Sequence, residues 1–274
     1  MRAFLAHRLA PLGALVTGLV LLLVGVGPAL SPYDPTHMDV LALLAPPDWQ
    51  HPFGTDALGR DVLTRVLAGA RLSLTVSATG VALAALAGTL AGLVAAERGG
   101  LLAAVLLRLS DLLFSFPSFV LALFLVVVLG FGTGTLILAI ALVYAPIFVR
   151  LSRNLAASAR GLTYVAAARV IGQSGRSILL REILPNIAGP LLVQATLGLA
   201  FGIVIEAGLS FIGLGVQPPQ PSLGTIMAEG REVFGQAPWV LTLTGLFIAL
   251  TLLGLNLLGD GLRELADPKL RGRS

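Results

Sequence analysis

Long uncharged apolar runs alternate with short polar segments along this chain, and their lengths set the first expectations. A helix needs about 20 apolar residues to cross a hydrocarbon layer of ~30 Å. Leu9 to Leu30 carries no charge and meets that length. It exceeds the apolar core of a cleaved leader, about 7–15 residues, and so predicts an uncleaved first span. Leu72 to Ala96, bounded by Arg71 and Glu97, predicts a second. Leu112 to Val149 is uncharged throughout and follows directly on Leu101 to Asp111, which is far too long for one crossing. Gly130, Gly132 and Gly134 break it into a hairpin of two spans. A fifth span is expected over Ile187 to Ile205 and a sixth over Trp239 to Gly259. The pattern predicts an all-α polytopic membrane protein of six transmembrane helices.

Composition agrees. Of 274 residues, 56% are hydrophobic and 12% charged, about half the ~25% charge of a soluble domain. Fourteen acids and eighteen bases cannot clothe a soluble surface of this size. That excludes an ordinary cytosolic enzyme, and the high hydrophobicity excludes disorder. The absence of cysteine excludes disulfides, thiolate metal sites and thiol catalysis. His7, His37 and His51 all lie outside the long apolar runs, and the only lysine is Lys269. A P-loop needs a lysine after a glycine-rich turn, so this chain is not expected to bind ATP. No catalytic residue, metal site or cofactor is expected.

The basic residues orient the spans. With six spans both termini share one side. Placing the N-terminus in the cytoplasm puts thirteen bases inside: Arg2, Arg8, Arg98, Arg150, Arg153, Arg160, Arg169, Arg176, Arg181, Arg263, Lys269, Arg271 and Arg273. Only Arg60, Arg65, Arg71 and Arg231 fall outside, with Arg108 near the inner end of the third span. Cytoplasmic loops carry excess base, so this orientation is expected, and the net charge of +4 belongs to those loops rather than to nucleic-acid binding. Ser31 to Arg71 and Ala207 to Pro238 are then external, and Ser152 to Pro185 is cytoplasmic. The chain divides at 1–71, the first span with its external loop, and 72–274, a five-helix core. No loop is large enough for a nucleotide-binding or catalytic domain, and no internal repeat is evident.

The cytoplasmic segment reads as two short helices about a bend. Over Thr163 to Ile171, Tyr164, Ala167, Ala168 and Ile171 fall on one helical face, with Arg169 elsewhere. Gly172 interrupts. Ser174 to Leu184 forms a second helix with Ile178 and Ile183 apolar and Arg176 and Arg181 polar, and Pro185 ends it. By itself this describes equally a basic loop on anionic lipid headgroups.

These residues resemble a known family. Tyr164-Val-Ala-Ala-Ala-Arg-Val-Ile-Gly172, then Ile178 and Ile183-Leu184-Pro185-Asn186, is similar to the coupling-loop motif of bacterial ABC importer permeases. The bend glycine and the proline match at the family spacing. Ala166 stands where the family usually has Glu, and Glu182 where His often precedes Leu-Pro. His51-Pro-Phe-Gly-Thr-Asp-Ala-Leu-Gly-Arg-Asp61 resembles the external segment of the C-type permease of dipeptide, oligopeptide and nickel importers. Ile205-Glu-Ala-Gly-Leu-Ser-Phe-Ile-Gly-Leu-Gly-Val-Gln-Pro-Pro219, Asn256-Leu-Leu-Gly-Asp-Gly-Leu-Arg263 and Asp267-Pro268 resemble later blocks of the same subfamily, in the right order.

The resemblance implies a type I importer permease fold in the inner membrane. It implies half of a translocation pathway for peptides or nickel complexes, completed by a second homologous permease. Two ATPases would dock beneath and an external binding protein would deliver substrate; lipid is the remaining partner. ATPase coupling would fall to Tyr164, Ala166, Ala167, Ala168, Gly172, Ile178, Leu184 and Pro185. Docking of the binding protein would fall to Gly54, Thr55, Asp56, Gly59, Arg60 and Asp61. A gate would involve Glu206, Ser210, Gly213 and Gly215.

Local structure accounts for some of the same residues. Asp56 is placed to cap a helix starting near Ala57, with Asp61 and Arg65 paired at i,i+4. Arg108 and Asp111, three apart near the inner end of the third span, are expected to snorkel and to pair rather than to form a substrate site. Glu206, read as ending the fifth span, is either an outer-gate residue or a headgroup-level carboxylate in water. Gly88/Gly92 and Gly198/Gly202 form two GxxxG pairs, suited to close helix packing or to a permease–permease contact. Rival functions fit less well. An intramembrane hydrolase needs a base or metal within the spans, and a secondary transporter needs midplane charge and related halves. A membrane structural subunit without a transport role stays open on the sequence.

Overall fold

A computed structural model describes residues 9–266, and everything in them that is regular is helical. In chain order the helices are α1 (Leu9–Leu30), α2 (Val62–Arg98), α3 (Gly100–Phe114), α4 (Ser118–Leu129), α5 (Thr133–Ala159) and α6 (Thr163–Val170). A single turn at Gly175–Ser177 and a π-helical stretch at Ile178–Ile183 then run into α7 (Leu184–Phe211). α8 (Leu223–Glu232) and α9 (Pro238–Ala266) complete the chain. Among the described residues five helical stretches are long and apolar enough to cross a membrane, and α3 and α4, bent by 94°, reach that length only as a pair.

The glycine break between the third and fourth predicted spans is present. α4 stops at Leu129, and Gly130 and Gly132 both have positive φ before α5 begins. The third span is not the straight rod expected. At 1.5 Å per residue, α3 and α4 reach about 22 and 18 Å, each short of a crossing. Pro117 causes the break: its ring bars α geometry at Phe116, and Pro117 itself is extended (ψ 132°).

α2 starts at Val62, ten residues before the uncharged run, and at 37 residues is about 56 Å long. Of the two charges that excluded Val62 to Arg71 from a span, Arg65 is buried, at 2% exposed, and Arg71 is exposed. Asp61 is the N-cap and accepts from the Thr64 amide at 2.8 Å. Pro185 likewise does not end a helix. It occupies the first turn of α7, and helix runs unbroken from Gly175 to Phe211. Proline removes a donor and crowds the carbonyl four residues back. The wider π turn opens room there, and Asn186 Nδ2 donates to the Glu182 carbonyl at 2.6 Å.

The core is an α2–α5–α7 sandwich. Val76, Val81, Ile140, Tyr144, Phe148 and Leu209 lie buried at its centre. The GxxxG pairs serve close approach inside the subunit: Gly88 and Gly92 face Ala145, Val149 and Ser152 of α5, and Gly198 and Gly202 face Val81 and Ser77 of α2. α1 packs on α9 through Gly13 against Leu257 and Gly254 against Thr17. Most of its leucines stay exposed, Leu15 at 68% among them.

Candidate functional site

The ends of α2 mark two opposite ends of the bundle. One end carries the loop about Gly172. α6 buries Val165 and Ala168, while the π stretch buries Ile178 and Ile183, in a small core with Leu93, Ala156 and Ala159. The predicted face of α6 is displaced. Ala168 is buried and Tyr164 half-buried, but Ala167 and Ala166 are exposed and Ile171 is 74% exposed. The reason is that Val165, not Ile171, fills the gap above Ala168. Gly172 has φ +83° and no atom within 4 Å of where a side chain would start. The bend therefore needs glycine for its backbone conformation, not for space. Leu184 is half-buried and Pro185 exposed. Val170, Ile171, Leu162 and Leu180 form an exposed apolar surface. Glu97, from the end of α2, lies against Gly175 and lines a cavity of about 240 Å³ with Arg160 and Arg169.

The other end is tied by charge. Asp56 accepts from the Leu58 and Arg60 amides at 2.8 and 3.1 Å, so it shapes a turn rather than capping a helix at Ala57. Its Oδ2 takes Arg60 Nε at 2.7 Å and also Arg65 Nη1. Arg60 and Arg65 both reach Glu229 of α8, at 2.9 and 2.5 Å. The expected Asp61–Arg65 pair is absent. Asp61 is committed to the cap and to His51 Nδ1 at 2.9 Å, and Arg65 turns to Asp56 and Glu229 instead. Thr55 is fully buried; its hydroxyl donates to the Ala42 carbonyl and accepts from the Ala45 amide, and its carbonyl takes Trp239 Nε1 at 3.1 Å. Gly54 sits under Trp239 and Gly59 under the Asp39 carbonyl, where no side chain fits. Asp56, Arg60 and Glu229 border an apolar cavity of about 400 Å³ with Met38, Leu58 and Val240.

Glu206 lies inside the subunit. α7 continues to Phe211, so Glu206 is more than a turn from the helix end and 0% exposed, which removes the reading as a water-contacting carboxylate. Ser210 Oγ donates to its Oε1 at 2.7 Å. Gly215 is buried against Ser210, and Gly213 is exposed with φ +83°. Arg108 and Asp111 do not pair; Asp111 bonds Arg150 of α5, whose guanidinium lies 4.4 Å from the Phe114 ring. A partner on a facing helix approaches more directly than one on the same helix three residues away.

The sequence reading missed Glu229, the capping serine Ser222 and all of α8. Ser222 and Thr225 form a reciprocal capping box, and that Ser-x-x-Thr spacing was the available signal.

Comparison with known proteins covers nearly the whole chain. Residues 1–47 match the N-terminal transmembrane domain of oligopeptide transport permease C. The di/tripeptide transport system permease protein DppC of Pseudomonas aeruginosa is 40% identical over 273 residues, covering 97% of this chain and 90% of that protein. The probable D,D-dipeptide transport system permease protein DdpC of Escherichia coli is 40% identical over 260 residues, covering 95% and 87%. The glutathione transport system permease protein GsiD of Escherichia coli is 40% identical over 272 residues, covering 99% and 90%. Residues 88–272 match the binding-protein-dependent transport system inner membrane component. With both ends of the bundle and its helical core falling within these matches, the chain belongs to the inner-membrane permeases of binding-protein-dependent ABC transport systems, the non-catalytic, multi-span component.

Proposed function

We propose that this chain forms half of the translocation pathway of an importer for short peptides. A second homologous permease completes the pathway, two ATPase subunits drive it from the cytoplasm, and an external binding protein feeds it. The observation that carries the reading is extent. Three relatives named for di- and tripeptides, D,D-dipeptides and glutathione are each 40% identical over at least 95% of this chain.

The geometry supports a division of labour between the two ends. The Gly172 end is the ATPase-coupling site: a helix, a left-handed glycine and a π-helical turn make a compact knob whose exposed tip is Val170 and Ile171. Tyr164, Ala168, Ile178 and Leu184 seat that knob on the bundle, and Ala166, Ala167 and Pro185 present it. The Asp56 end is the binding-protein side, with Gly54, Thr55, Gly59, Arg60 and Asp61 holding a rigid docking platform. α2 joins the two ends as one helix, so displacement at the knob reaches the platform without an intervening hinge. Glu206, Ser210, Gly213 and Gly215 lie where α7 turns into α8 and serve as a gate element. The division at 71 falls inside α2, so the loop after the first span leads directly into a core helix, while α1 itself packs on α9. Both termini are cytoplasmic, as the basic residues dictate.

Reconstitution of the chain with its three partner types in proteoliposomes tests this. Uptake of a labelled dipeptide should require ATP, the binding protein and both permeases. Cysteine at Gln220 should react with an impermeant thiol reagent from outside intact cells, and cysteine at Ser174 should not. Uptake that persists without the binding protein, or labelling at Ser174 alone, overturns the reading.

A further inference from the structure

Glu206 is a buried carboxylate with no cationic partner among the described residues. It is 0% exposed, and α7 holds no other charge. Ser210 Oγ donates to Oε1, and the hydroxyls of Ser73 on α2 and Ser222 at the start of α8 also face the carboxylate. Oε2 has no hydrogen-bond partner, and neither do the hydroxyls of Ser73 and Ser77. Ser77 is one turn from Ser73 on α2 and abuts Gly202, one turn from Glu206 on α7. Ser73, Ser77 and the unpaired Oε2 thus lie along one α2–α7 contact, Ser73 facing the carboxylate and Ser77 one turn away. Gly224 and Gly215 seal the other side against Ala207 and Ser210.

The surrounding charges are committed elsewhere or distant. On α2, Arg65 is bound to Asp56 and Glu229, about 12 Å along the helix from Ser73, and Arg71 is exposed. On α8, Arg231 lies 5.1 Å from the Phe211 ring, and Glu229 and Glu232 are acids. α4, which meets α7 through Phe119 and Gly208, has no charged residue. Arg150 and Arg153 of α5 lie toward the Gly172 end. So do Asp260, Arg263 and Glu264 of α9, since Gly259 faces Leu197 of α7.

An anionic carboxylate in such an interior requires a neutralising partner. The donor set is all oxygen, which suits a hard cation and not a thiophilic metal. It carries one formal negative charge, which balances a monovalent ion and leaves a divalent one in excess. The tight helix contacts restrict the guest to a small one. We propose that Glu206 and the hydroxyls of Ser73, Ser77, Ser210 and Ser222 hold one small monovalent cation, an alkali ion or a proton. The bound cation lets α8 close on α2 and α7.

The test needs only the folded full-length chain, purified in detergent or nanodiscs, and is independent of any transport assay. Thermal unfolding is followed as sodium chloride replaces choline chloride at constant ionic strength and pH, then as pH varies in choline chloride. Occupancy by sodium predicts a saturable rise in melting temperature of roughly 5 °C or more. Glu206→Gln abolishes it, and Ser77→Ala, which removes a single hydroxyl, moves its midpoint to higher sodium. Occupancy by a proton predicts no sodium response but a pH response in choline chloride that Glu206→Gln removes and Ser77→Ala alters. If Glu206→Gln does not fold, Ser73→Ala and Ser77→Ala carry the same reading. The site is overturned if the wild type is indifferent to sodium and follows the same pH profile as Glu206→Gln. It is equally overturned if a sodium response survives unchanged in Glu206→Gln and in both serine variants.

Discussion

The two ends of α2 solve opposite problems. At the Asp56 end four charged side chains from three segments are locked together, with Asp56 and Arg65 both buried. At the Gly172 end the tip is apolar and uncovered, with Val170 86% and Ile171 74% exposed. A buried ion-pair network is costly to break and fixes one geometry. An uncovered apolar tip adds little to the subunit's own stability, so its value is what it meets. The same helix thus connects an end closed by ion pairs with an end whose apolar tip is uncovered.

The contrast can be broken most sharply at Asp56. Asp56→Ala leaves Arg65 buried with half of its partners and should destabilise the folded chain by about 3–5 kcal/mol. Thermal unfolding in detergent measures it, and membrane abundance should fall with it. A loss under 1 kcal/mol would show that Glu229 alone suffices for Arg65.

Gly172→Val is the counterpart at the other end. A β-branched residue at φ +83° is strained by about 1–3 kcal/mol, so the bend should open although nothing obstructs the new side chain. Uptake per inserted complex and co-purification of the ATPase should both drop, with membrane abundance unchanged. Full uptake and full co-purification would remove the coupling role assigned to the loop.

Replacing Val170 and Ile171 together by Asp sharpens the comparison further. Both are exposed, so stability should change by no more than about 0.5 kcal/mol. ATPase co-purification should nonetheless fail. A large drop in melting temperature would instead place these residues in the subunit's own core.

The smallest effect concerns Asp34, near the first end. Hydrogen bonds from the Thr36 hydroxyl and amide hold its carboxyl below the ordinary carboxylate range. A lowered carboxylate stabilises the fold above the ordinary range and loses that contribution as pH falls through its folded-state value. Thr36→Ala should move the Asp34 titration upward, toward the ordinary range, as read by NMR on selectively labelled protein. An unmoved titration would assign the shift to the backbone amide alone.

Much of this was legible in the sequence for a physical reason. Crossing a hydrocarbon layer demands a minimum apolar length, so the runs at Leu9, Leu112 and Trp239 declare helices without reference to neighbours. Gly172 was legible as a bend because few other residues occupy its backbone region. The residues the sequence misread are those whose partners come from elsewhere in the chain. Arg65 reads as an external-loop base paired with Asp61 until Asp56 and Glu229 are brought to it, and so α2 appeared ten residues too short. Asp111 chose Arg150 over Arg108 because α3 lies beside α5. Glu206 reads as the end of a span until α2 and α8 close over it. Local pattern fixes which segments are helices, since backbone hydrogen bonding and apolar length are properties of the segment itself. Which charges are buried, which are paired and which apolar faces stay open depends on helices distant in sequence, and only their packing decides it.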